Sequence, residues 1–128
     1  MQRNLVGYGK NPPRVEWPGG AQIALSLVVN YEEGSELTPA YGDKRHETHG
    51  EIPSGKPPES RSLQTETQWE YGGRAGVWRL LRLFEQHQVK ATFFVCAMAL
   101  EQNPPLGHEI TAQGHDVCGH GLRWVEQW

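Results

Sequence analysis

Two adjacent carboxylates, Glu32 and Glu33, follow the most apolar run of the chain, Ala21 to Asn30, and Gly34 follows them. A paired carboxylate can serve as a general base when burial and a like-charged neighbour raise its pKa. A histidine, His120, stands beside Gly121 near the other end of the chain. A carboxylate and an imidazole at one rim could activate water and return a proton, the requirements of hydrolysis. The plain alternative is that Glu32 and Glu33 are solvated loop residues, as most carboxylates are.

Whether these groups meet depends on the elements that carry them. Ile23, Leu25, Leu27 and Val29 alternate and Val28 thickens the pattern, which predicts a strand over residues 21–30 buried on both faces of a parallel sheet. Residues 90–97 and 115–120 predict two further strands, the last ending at His120. From about Arg74 a helix is expected, with Val77, Leu80, Leu81 and Phe84 inward and Arg79, Arg82, Glu85 and Gln86 outward. A shorter helix should start at Asn103 as N-cap, with Pro104 at its first position, and stop at Gly114.

The resulting order is βαβαβ, an α/β fold with parallel strands, so the carboxyl ends of the strands share a rim. Residues 1–20, with Asn11-Pro-Pro-Arg14 and Trp17-Pro-Gly-Gly20, read as a surface lead-in to a domain over 21–128. Residues 35–68 carry prolines at 39, 53, 57 and 58 and no apolar period, and form a long polar loop, either functional or mobile. Three strands and two helices leave a sheet edge open. That edge predicts a truncated, amino-terminal part of a larger fold, and a possible homo-oligomer.

Composition excludes several classes. A net charge of −3 offers no footprint for nucleic acid. No apolar stretch is long enough for a membrane span, and the first residues lack the apolar core of a secretory signal. Two cysteines, Cys96 and Cys118, make no disulfide framework and are expected as small buried hydrophobes in a reduced, cytoplasmic setting.

The motifs also carry a resemblance. Asn30-Tyr31-Glu32-Glu33-Gly34 stands where the polysaccharide deacetylase (NodB-homology) superfamily has Thr-Phe-Asp-Asp-Gly. His120-Gly121-Leu122-Arg123-Trp124 stands in its His-Ser/Thr-x-x-His motif. With Glu70–Arg79 and the strand Lys90–Val95, the chain resembles the metal-independent allantoinase branch of that superfamily. The resemblance implies a partial (β/α) barrel, with Glu32 at the base position, Glu33 at the metal-carboxylate position and His120 as the first histidine. Trp124 replaces the second histidine. Its indole has no lone pair for a metal, and catalytic zinc normally takes three protein ligands. The longer carboxylates would also crowd a site shaped for aspartate.

The implied activity is hydrolysis of a non-peptide C–N bond, allantoin to allantoate, as part of purine catabolism. Glu32 and His120 are the expected catalytic residues, with Glu33, Tyr31, Trp124 and Arg74 on substrate, a cyclic amide or ureide. No metal or other cofactor is expected. One alternative is a metal-dependent N-deacetylase of polysaccharide or peptidoglycan, with a divalent metal such as zinc at Glu33 and His120. Another is a catalytically incomplete fragment serving as an association module. Blander roles are open elsewhere: Arg74 as a helix-surface cation, Trp124 as packing, Trp69, Tyr71 and Trp78 as core or interface aromatics, and Tyr31 as a pocket wall. His46 and His49 share a His-x-x-His spacing but lie in the polar loop without a carboxylate frame. His115 and Asp116 are expected to serve turn geometry.

Overall fold

The computed structural model describes residues 3, 5–50, 55 and 57–125. Its centre is a parallel sheet in the order β1 (Val28–Tyr31), β2 (Thr92–Val95), β3 (Asp116–Gly119). Val28 pairs with Thr92 and Thr92 with Asp116, so Tyr31, Val95 and Gly119 end level with one another. That register is what brings the residues after β1 and after β3 to one rim.

Between β1 and β2 run α1 (Leu63–Tyr71), a π-helical stretch (Gly72–Gly76) and α2 (Val77–His87). Between β2 and β3 run α3 (Ala97–Gln102) and α4 (Pro104–Ala112). Tyr31, Val77, Leu81, Phe93, Val95, Cys96, Ala99, Leu106 and Ile110 form the core, the helices covering the sheet. No helix among the described residues is long and apolar enough to cross a membrane.

Several expectations change. The first strand is four residues, not ten, and Ile23 and Leu25 are 78% and 82% exposed. The cause is the ladder: β2 begins at Thr92, whose N–H donates to the Leu27 carbonyl, so residues before Leu27 have no partner strand. Cys118 is exposed rather than buried, because all four residues of β3 lie on the open edge. Leu80 is 38% exposed, leaving Val77 and Leu81 as the buried contacts of α2.

The polar loop ends earlier than expected, at Ser62, whose hydroxyl accepts from the Thr65 N–H and caps α1. Its first part is packed: Ser35, Glu36, Thr38, His46 and Glu47 are all buried. Asn103 is the N-cap residue of α4, with Pro104 at the first helical position, as expected, but its side chain makes no cap bond. Its amide instead donates to the Tyr31 hydroxyl at 3.2 Å and the Gly73 carbonyl at 3.4 Å, tying β1 to the π-helical stretch. His115 does more than shape a turn. It is buried against Phe84 and Phe93, and its Nδ1 accepts from the Ala91 N–H at 3.1 Å. Pro53 and the terminal Trp128 lie outside the described residues.

Candidate active site

Glu32 and Glu33 leave β1 on a turn that only glycine completes without strain, since Gly34 has φ +94°. The Ser35 hydroxyl and N–H both bond the Glu32 carbonyl, at 2.6 and 2.9 Å, and fix the backbone under the carboxylates. His120 leaves β3 with its N–H on the Val95 carbonyl at 2.9 Å. The two ends then meet: His120 Nε2 lies 2.8 Å from Glu32 Oε1. Opposite an ionised carboxylate, which can only accept, the imidazole serves as donor from Nε2. Both side chains are partly shielded, 35% exposed for His120 and 17% for Glu32. Glu32 Oε2 makes no hydrogen bond to a described residue.

Beside this pair opens a cavity of about 420 Å³ lined by Asn30, Glu32, Glu33, His49, Gly50, Gln68, Trp69 and Trp124. Trp69 and Trp124 meet across it, ring centres 5.8 Å apart and planes at 48°. Glu33 turns its Oε2 to accept from the Glu32 N–H at 3.1 Å. Burial pushes the Glu33 carboxyl above its usual value, partly offset by its hydrogen bonds to backbone N–H groups.

Of the residues expected at the site, Glu32, Glu33, His120 and Trp124 are gathered here. Tyr31 is not on this cavity. It is 2% exposed and lines a neighbouring hollow, where Asn103 binds its hydroxyl. Arg74 also borders that second hollow, its guanidinium 3.5 Å from Glu70 on the helix surface. The helix turns it outward, away from the Glu32–His120 pair. His46 and His49 do not converge: the His46 Nδ1 faces the Ser60 carbonyl at 2.7 Å, while the His49 side chain is 81% exposed.

Several residues of the site are not expected from the sequence, His49 and Gly50 of the polar loop among them. Asn30 sat inside the motif as an ordinary strand position. Gln68 lies in the stretch expected as a polar loop, and Trp69 is expected as a core or interface aromatic. Arg123 stands inside the His120 motif, and its fork explains how the loop is held. It donates to the Ser35 carbonyl at 3.1 Å, the Glu36 carbonyl at 2.7 Å and both oxygens of Asp43, at 3.0 and 2.5 Å. The guanidinium holds the Asp43 carboxyl below its usual range. The segment bearing His120 is thereby fastened to the loop leaving Glu33.

Residues 64–128 match the family described as polysaccharide deacetylase, half of the chain. The chain belongs to the polysaccharide deacetylase family. A Schizosaccharomyces pombe protein named as a polysaccharide deacetylase is 38% identical over 96% of this chain and 40% of its own length. Among solved structures, PuuE allantoinase superposes with a TM-score of 0.86 at 44% identity, over 98% of this chain and 42% of that one. A Pseudomonas aeruginosa structure described as a polysaccharide deacetylase gives 0.85 at 44% identity, over 98% and 43%. The α/β fold is thus that of the family's amino-terminal portion, and the chain spans about two fifths of these relatives' length.

A catalytic divalent metal needs about three protein ligands with free lone pairs. Here the His120 Nε2 is directed at Glu32, Glu33 is turned onto backbone, and Trp124 has none to give. Among the described residues no group of three His, Cys, Asp or Glu could hold such an ion. Among the described residues, the donors at this cavity do not make up a three-ligand metal site.

Proposed function

We propose that this chain supplies the base-bearing part of a hydrolytic site that opens a cyclic amide or ureide, allantoin being the leading substrate, without a metal. The observation that carries this is the 2.8 Å Glu32–His120 pair beside a cavity whose donors, among the described residues, make no three-ligand metal site. Glu32 Oε2 takes a proton from water, and the water oxygen adds to the ring carbonyl carbon. Gln68, Asn30 and the indole N–H groups are the cavity's donors of the kind a developing oxyanion needs. Collapse breaks the C–N bond, and the ring nitrogen leaves with a proton from the Glu32–His120 pair. Glu33 and the two tryptophans hold the planar ring, Glu33 through its N–H groups. The protein named an allantoinase, at 44% identity, supports this choice of substrate.

On this basis the partner is a small ureide and the setting is cytoplasmic purine breakdown. The relatives extend well beyond the matched two fifths. The family name favours a second reading, removal of an acetyl group from an amino sugar with a divalent metal.

One assay separates them. Allantoin ring opening and deacetylation of an N-acetylglucosamine oligomer are followed before and after exhaustive chelation and again with added zinc. Ring opening that persists through chelation is expected. Activity on the sugar that vanishes with chelation and returns with zinc would replace this reading with the second.

A further inference from the structure

The helical run from α1 into α2 passes beside the end of β1, and it does so with two successive glycines, Gly72 and Gly73. Backbone freedom does not explain Gly72, whose φ of −55° and ψ of −52° are ordinary helical values. Alanine would be the better helix former there. Space does explain it. A Cβ on Gly72 would lie 2.7 Å from Glu33 Cγ and 2.8 Å from Glu33 Cδ, with Oε1 closer still. Carbon atoms pack at roughly 3.5–4.0 Å. The Glu33 carboxyl is held in this place by its Oε2, which accepts from the Glu32 N–H at 3.1 Å, so making room for a methyl would cost that hydrogen bond.

We propose that Gly72 is a positioning residue: the methyl it lacks is the socket that receives Glu33. The socket holds the second carboxyl at the cavity wall, leaving Glu32 to His120. The catalytic consequence rests on the ring-opening reading above; the socket itself does not.

The test is a thermal-unfolding cycle on the whole protein, with ring-opening kinetics beside it. Gly76 is the control, being helical with φ −59° and its nearest neighbour 3.6 Å from a built Cβ. Gly76→Ala should raise Tm by roughly 2–4 °C and leave activity unchanged. Gly72→Ala should lower Tm, yet raise it like Gly76→Ala once Glu33→Ala has emptied the socket. If Gly72→Ala alone does not fold, recovery of folding in the double variant supports the same conclusion. A rise in Tm for Gly72→Ala in the native background would overturn the socket, as would an equal loss with Glu33 present or absent. In the kinetics, Gly72→Ala should raise KM at least tenfold with a smaller effect on kcat. A native protein that opens no ring sinks the functional reading, and the unfolding cycle still decides the socket.

Discussion

At the residue scale, the proposed mechanism has Glu32 and His120 acting through each other, so their losses should not add. Glu32→Gln and His120→Ala should each lower kcat for ring opening by about 10²–10⁴-fold, with the double variant no worse than the poorer single one. Multiplied losses in steady-state kinetics would separate the two roles. Glu33 predicts a pH effect of definite sign. Its carboxyl titrates above the usual 4.5 because it is buried, so the folded protein binds that proton more tightly than the unfolded chain. Stability from this group is whole below the ordinary value and is lost as pH climbs through the raised one. Glu33→Gln keeps an acceptor for the Glu32 N–H and should therefore be more stable than the native protein at neutral pH, the gap closing below about pH 4. Denaturant titrations across pH check this; a constant gap would contradict it. Glu32, Glu33, His120 and Trp124 were legible because motif residues at strand ends share a rim by topology. Gly72 was not, since a glycine in a helix reads as a weakness until the atom facing it is known.

At the element scale, the loop after β1 is the least legible part. Its polarity suggested a long stretch without structure, yet buried Glu36 and Glu47 are satisfied by backbone N–H groups of Gly34, Thr48 and His49. Local bonds of this kind leave no periodic trace in a sequence. The long-range fastening is Arg123, whose bidentate grip on Asp43 and two carbonyls needs a planar fork. Arg123→Lys should cost about 2 kcal/mol. It should speed amide exchange over residues 35–43 while leaving β2 protected. Unchanged exchange in that loop would show that other contacts hold it. The order of the three strands and of α2, by contrast, followed from apolar period, and α4 from its Asn103-Pro104 start, while α1 and α3 were not expected. The first strand was overextended because Ile23 and Leu25 alternate correctly but meet no neighbour before Thr92.

At the scale of the whole molecule, three parallel strands bring two distant motifs into contact, Glu32 and His120 being 88 positions apart. The sheet's outer strands, β1 and β3, pair on one side only among the described residues, and Val28 and Val117 are about half exposed. With the relatives more than twice as long, these edges are where further structure of the family fold would join. The pair at the rim stands on what the described residues already hold. It is tested most directly by nitrogen NMR of the His120 imidazole in the native protein, in Glu32→Gln, and with added zinc. The Nε2 resonance should move when Glu32 becomes glutamine and stay in place when zinc is added. A resonance indifferent to Glu32 but displaced by zinc would mean that His120 is a metal ligand, and the metal-free hydrolytic pair would be wrong.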